Sequence, residues 1–236
     1  MPELPAVPEL PEVPESPESP FADARATWDA RFGGDDFLFG SAPNAYLASC
    51  RPLLAAGQTA LAVADGEGRN SVWLAQQGLL VDAFDLSAVG VAKAGQLAQR
   101  AGVAVKLHVT DCDGWDWRVE QYDVVAAIFI QFAGPALRQR LFDNIIATLK
   151  PGGLLILQGY TPQQLDYNTG GPGLAAHLYT VPMMRAAFRA LEILDLREYD
   201  SVLAEGRGHA GNSALLGLVA RKRRADRRLH WPAPAN

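Results

Sequence analysis

The chain has only two cysteines, Cys50 and Cys112, in 236 residues. Their positions make no metal-binding or redox spacing, and two buried free thiols in a reducing compartment are expected. No apolar run approaches the ~18 residues that a membrane-spanning helix needs. The first residues offer neither a basic n-region nor an apolar h-region, so a secretory signal is not expected. HExxH, a paired CxxC, a nucleophile elbow and a P-loop are all missing, which leaves metal, protease and NTPase readings without support. The net charge of -5 argues against a nucleic-acid enzyme by bulk electrostatics. A cytoplasmic protein with no nucleic-acid, membrane or metal partner is expected, and a monomer and a homodimer both remain open.

Charge is unevenly laid out. Met1 to Pro20 carries glutamates and no basic residue, whereas Arg221-Lys-Arg-Arg224 and Arg227-Arg228 make the C-terminal end basic. The first twenty residues read PELPAV, PELPEV, PES, PES, with proline at about every third position. Proline fixes φ near polyproline II and removes donors, so residues 1–20 are expected to form a disordered or extended arm. Residues 21–222 read as one globular domain and 223–236 as a basic tail.

Within the domain, helices are predicted over Ala22–Phe32, stopped by Gly33-Gly34, and over Pro43–Leu54. Strands and helices then alternate: strand Thr59–Ala64, helix Arg69–Gln77, strand Leu80–Phe84, and a helix capped by Ser87 that runs from Ala88 to Arg100. Strands Val103–Val109 and Asp123–Phe129 follow. Helix Pro135–Leu149 repeats Leu137, Leu141, Ile145 and Leu149 at four-residue spacing. Lys150-Pro-Gly-Gly153 reads as a hard turn, and Leu154–Gln158 as a strand buried on both faces. After a long irregular segment, 160–181, come helix Pro182–Leu191 and strands Glu192–Tyr199 and Ser213–Arg221. The Gly-, Arg- and His-rich stretch Leu203–Asn212 reads as a loop between them. The expected architecture is α/β: a doubly wound, Rossmann-like sheet, mostly parallel with an antiparallel final strand pair, and helices on both faces.

The richest stretch is Leu61-Ala-Val-Ala-Asp-Gly-Glu-Gly-Arg-Asn70, followed by a second strand ending on Asp85. An apolar strand, a glycine turn, a helix, and an acid about 20 residues on suit an adenosine-containing ligand. The glycines bring backbone N–H groups close, and the acid accepts from ribose hydroxyls. Glu67 and Arg69 read as solvated charge at the start of the helix.

Thr-Asp111-Cys after the third strand, Tyr-Asp123-Val-Val at the fourth and Leu-Lys-Pro-Gly-Gly153 at the fifth complete a pattern. It resembles class I S-adenosylmethionine-dependent methyltransferases over residues 21–222. Trp28-Asp-Ala-Arg31-Phe, Phe39-Gly-Ser-Ala-Pro-Asn44, Gly159-Tyr-Thr-Pro162 and Gly208-His-Ala-Gly-Asn-Ser213 are similar to the branch near tellurite-resistance and thiopurine S-methyltransferases. The resemblance implies S-adenosylmethionine as cofactor, S-adenosylhomocysteine as its product, and a small-molecule methyl acceptor. It implies that Ala64, Asp65, Gly66, Gly68 and Asn70 line the methionine end, and that Asp85 holds the ribose. Leu86 would flank the adenine, and Asp111 and the Cys112 backbone would meet its edge. Ile128 and Phe129 would lie by the transferring methyl, with the following residues to Phe132. Trp28 and Arg31 would close over the methionine, Arg31 pairing with its carboxylate.

The turn departs from the family's Asp-Leu-Gly-Cys-Gly-x-Gly. Ala62 replaces the strand acid and Ala64 the first glycine. A positive φ at Ala64 would cost on the order of 1 kcal/mol. Asp65 is a candidate acceptor for the ligand's ammonium. His209, with a pKa suited to a general base, Tyr160 and Gln131 are candidate catalytic or acceptor-site residues, with Asn212 and His177 beside them. His108 reads as structural. The first reading of the acceptor is a thiol, sulfide or other chalcogen. O- or N-methylation of a small metabolite with His209 as base, and a non-catalytic cofactor-binding protein, are the alternatives.

Overall fold

A computed structural model describes residues 23–224. The predicted arm 1–20, and the basic tail beyond Arg224, lie outside the described residues. The elements are helices α1 (Ala24–Phe32), α2 (Ala45–Ser49), α3 (Arg69–Gln76), α4 (Ala88–Ala101), α5 (Pro135–Thr148), α6 (Gln164–Tyr167) and α7 (Val181–Ala187). The strands are β1 (Thr59–Val63), β2 (Leu80–Asp85), β3 (Val105–Val109), β4 (Tyr122–Ile128), β5 (Leu149–Tyr160), β6 (Leu191–Glu205) and β7 (His209–Lys222). They form one seven-stranded sheet in the order β3-β2-β1-β4-β5-β7-β6. The pairs from β3 to β5 are parallel, and β7 runs antiparallel to both β5 and β6.

Side chains alternate across the pleat, so each central strand feeds two cores. Leu61, Val63, Val125, Leu155 and Leu157 meet Leu141, Phe142 and Ile145 of α5 and Met184 of α7 on one face. Ala60, Val124, Ala126 and Ile156 meet Leu47 of α2 and Leu74 of α3 on the other. At the base, the Lys150 ammonium donates to Asp123 (2.8 Å) and Thr59 (3.0 Å), binding the starts of β1, β4 and β5 together.

Several boundaries differ from expectation, each for a local reason. The second helix stops at Ser49 and a 3₁₀ turn, Arg51–Leu53, follows, because Pro52 supplies no N–H to continue it. It begins at Ala45 because the Asn44 side chain accepts from Leu47 N (3.0 Å). The last helix ends at Ala187, and Leu191 opens β6. Lys150-Pro-Gly-Gly153 is not a separate turn but an irregularity inside β5: Tyr122 pairs with Leu149 and Val124 with Leu154. The predicted loop Leu203–Asn212 is mostly strand. β6 and β7 continue as a hairpin to the pair Glu205–His209. Its glycines serve close packing, since a Cβ on Gly206 would sit 2.4 Å from the Gly40 nitrogen and one on Gly208 would enter the Phe39 ring.

Gly217 of β7 lies flat under Tyr46, where an added Cβ would fall 2.4 Å from the ring. Gly217→Ala therefore overpacks the α2 face and lowers stability by about 1–3 kcal/mol, read as a lower urea midpoint at unchanged slope.

Candidate active site

The order β3-β2-β1-β4-β5 reverses direction between β1 and β4, and the carboxyl ends of these strands open there into a crevice. Ala64 leaves β1 with φ 48° and Phe129 leaves β4 with φ 55°, both left-handed. Ala64 thus carries the strain expected of it, and Phe129, a bulky aromatic residue, carries a second strained position at the same place.

The turn itself is internally satisfied. Asp65 N donates to Phe84 O (3.0 Å), Gly66 N to Asp85 (2.9 Å) and Gly68 N to Asp65 O (3.2 Å). These amides hold the turn rather than a phosphate, which favours an adenosine ligand without phosphates over a dinucleotide. Gly68 has φ 89°, and a Cβ there would lie 2.6 Å from that of Ala94, so the turn lets α3 and α4 touch. Asp85 is buried at the tip of β2, with one oxygen accepting from Gly66 N and the other from Ser87 N (2.9 Å). Burial raises its pKa against those two donors, and each oxygen keeps a lone pair for a ribose hydroxyl.

Helix α1 is fastened over the crevice by Asp29, which accepts from the Ser87 hydroxyl and from Val89 N (3.3 Å). That places Trp28 against Phe32 (centroids 5.3 Å) and Phe39 (6.3 Å), with the Arg31 guanidinium 4.2 Å from the Trp28 ring. Three cavities meet at this point. One, about 100 Å³, is lined by Ala64, Asp65, Gly66, Arg69, Asn70, Asp85 and Ile128. The second, about 520 Å³, adds Asp111, Cys112 and Asp113, and Leu86 lines both. The third, about 120 Å³, holds Arg31, Gln131, Tyr160, Gly171, Pro172 and Gly208. Trp28 and Phe132 line all three. Phe39, Phe129 and His209 join them between the first and the third. The partition between the turn and the third cavity is thus wholly aromatic.

The candidate residues play unequal parts. The His209 ring packs 4.1 Å from Phe129 and 4.4 Å from Phe39. It is buried at the start of β7, not in a mobile loop. Burial holds its pKa below the ordinary value, so it is neutral at pH 7. The Tyr160 hydroxyl is buried without a partner, and the ring lies against Gly171. Gln131 spends its carboxamide on backbone, accepting from Tyr160 N (2.6 Å) and donating to Tyr160 O (2.8 Å) and His177 O (3.1 Å). His177 is fixed to Gln131 O (2.8 Å) and does not line the third cavity. Asn212 is exposed and away from that cavity. His108 is exposed on edge strand β3, and His230 lies outside the described residues. Asp111 is exposed, with one oxygen accepting from Asp113 N and Gly114 N, and Cys112 is buried behind it.

Two charges expected in solvent are buried instead. Glu67 pairs with Lys93 (2.7 Å) and accepts from Leu38 N (2.7 Å). Arg69 pairs with Glu205 (2.7 Å) and donates to Phe39 O (3.2 Å). Glu205, unnoticed in the sequence, also accepts from Asn44 Nδ2 (3.1 Å) and Ala45 N (3.0 Å), and lies 3.9 Å from His209 Nδ1. Reading Leu203–Asn212 as loop hid it; continuing the strand alternation would have turned it inward.

The fold is the Rossmann-like one seen in S-adenosylmethionine-dependent methyltransferases. Residues 60–153 match the family model of a methyltransferase domain. No curated protein matches the sequence. Among solved structures, one from echinomycin biosynthesis, concerned with conversion of a disulfide bond into a thioacetal group, is similar at TM-score 0.68 and 16% identity, over 85% of this chain and 93% of that one. TehB from Haemophilus influenzae is similar at 0.64 and 14%, over 84% and 67%. A Burkholderia thailandensis 1,6-didemethyltoxoflavin-N1-methyltransferase, with bound 1,6-didemethyltoxoflavin and S-adenosylhomocysteine, is similar at 0.61 and 18%, over 90% and 93%. No helix among the described residues is long and apolar enough to cross a membrane.

Burial alone would raise the pKa of Glu205, but His209, Arg69 and the Ala45 amide outweigh it and hold it at about 2. The stability this confers is complete above the ordinary value of 4.5 and is lost as the pH falls through about 2. Glu205→Gln flattens that acid limb and costs about 3 kcal/mol near pH 7, because Arg69 is left buried without its partner. Urea unfolding of both proteins from pH 7 to pH 3 reads the effect.

Proposed function

We propose that the enzyme transfers the methyl group of S-adenosylmethionine, beside the aromatic partition that the two cavities share, directly to a thiol, sulfide or other chalcogen nucleophile on a small molecule, with S-adenosylhomocysteine as the leaving group. The observation that carries this is the partition itself: Trp28, Phe39, Phe129, Phe132 and His209 line both the turn cavity and the third cavity, so the two adjoin along an aromatic wall. The cofactor supplies a methyl group already activated on a sulfonium, so the protein's work is alignment and exclusion of water.

Asp85 is the ribose acceptor in this reading, and Leu86, Asp111 and Cys112 form the adenine end. Arg31 reaches the carboxylate of the methionine end, since no described carboxylate lies within ion-pair distance of it. Ring faces are electronegative and suit a cationic donor. The acceptor occupies the third cavity, under the unpartnered Tyr160 hydroxyl. At about 120 Å³ that space is slightly smaller than the ~150 Å³ of a cavity that admits benzene. An anionic chalcogen attacking there loses its charge against that of the donor, which a dry site favours over water. Once ionised it asks no proton transfer of the protein. Of the similar structures, the echinomycin one is also concerned with a reaction at sulfur.

His209 favours a second reading, methylation of an oxygen or nitrogen acceptor. The imidazole is neutral, borders the cavity, and has Glu205 3.9 Å behind it. It could take the acceptor's proton while Glu205 stabilises the imidazolium.

A panel of small thiols against phenols and amines of equal size separates the two. Turnover confined to thiols, with His209→Ala retaining most of it, supports the chalcogen acceptor. Turnover of phenols or amines that His209→Ala lowers about 100-fold or more establishes the second. Asp85→Ala weakens S-adenosylhomocysteine binding by about 1–3 kcal/mol in calorimetry. Unchanged affinity removes Asp85 from the ribose site.

A further inference from the structure

One acid in the crevice has no structural task that accounts for it. Asp65 lies in the turn between Ala64 and Gly66 and lines the same cavity as Asp85. One carboxylate oxygen accepts from Ser71 N at 3.3 Å, and the other is buried with no partner. A buried, unpartnered carboxylate oxygen is costly and calls for a donor. The amides of Asp65, Gly66 and Gly68 are already committed, which points to a ligand as the donor.

We infer that Asp65 is a specificity-determining residue that accepts the ammonium of the cofactor's amino-acid end. The inference rests on the cofactor reading and deepens it. Asp85 on β2 faces Asp65 as a like charge and Arg69 on α3 as an opposite one. His209 on β7 also lines this cavity, and Arg31 on α1 lines the adjoining one. Burial, the largest influence, and Asp85 push the Asp65 pKa up to about 7 against Ser71 and Arg69. Near neutral pH a large share of the free protein therefore carries a proton here. An incoming ammonium favours the carboxylate, and the Asp65 proton leaves to the buffer; no ligand bond changes.

The test uses two ligands, S-adenosylhomocysteine and 5′-methylthioadenosine, the latter an adenosine thioether with no amino-acid end. S-Adenosylhomocysteine should bind about tenfold more tightly at pH 8 than at pH 6, and 5′-methylthioadenosine equally at both. Asp85 and His209 face both ligands, so the difference between the two isolates Asp65. Calorimetry of the unaltered protein at pH 7, in phosphate and in Tris, should count roughly half a proton released with the first ligand and none with the second. Asp65→Asn should remove the pH dependence. The same pH dependence for both ligands, or none for either, overturns the assignment. If neither ligand binds at any pH, the cofactor reading itself falls and this inference with it.

Discussion

The crevice depends on one buried carboxylate. Glu205, at the tip of the β6–β7 hairpin, holds Arg69 at the start of α3 and the Asn44 cap of α2, and it backs His209. Through Arg69 it also fixes the backbone of Phe39. A single buried charge is costly, but here each oxygen is met by N–H donors and a guanidinium, and the low pKa records how completely. The turn cavity and the third cavity are therefore braced against the same atom pair. Phe39 and His209, two members of the aromatic partition, take their places from it.

The turn after β1 solves a different problem. Its amides close on Phe84, Asp65 and Asp85, which stiffens a loop that carries strain at Ala64. What remains for a ligand is chiefly acceptor: Asp85 at one end and the free oxygen of Asp65 at the other. An adenosine with hydroxyls and an ammonium fits such a wall, and a pyrophosphate does not. Ala62, where the family pattern has an acid, is buried in the sheet, so the negative charge here comes from the turn instead of the strand.

Much of the fold was legible because strands β1 to β5 and their helices are short, local units with strong periodicity and a clear cap at Ser87. Positions set by backbone geometry, such as Asp85 and the positive φ of Ala64, followed from the same local pattern. The rest hangs on pairings distant in sequence. Glu205 meets Asn44 across 161 positions, and no window of sequence contains that contact. Glycines 206 and 208 read as loop because their reason, the close pass of Leu38–Gly40, lies far up the chain. Gln131 looked like an acceptor contact, since nothing local shows that its carboxamide is taken by Tyr160 and His177. The family match, ending at residue 153, likewise stops before the hairpin that completes the site.

That hairpin gives the site a date of birth during synthesis. A nascent chain emerges from its N-terminal end, and domains fold as their segments become free. The turn, Asp85 and the first four strands emerge early, but Glu205 and His209 belong to the last two strands, and the order β5-β7-β6 sets the final strand inside the one before it. Until β7 slots in, the edge of β5 stands open and the Arg69 guanidinium has no counter-charge. The half that carries the turn and Asp85 is made first and stays unfinished. The walls that would admit an acceptor come into being only when the β6–β7 hairpin joins the sheet.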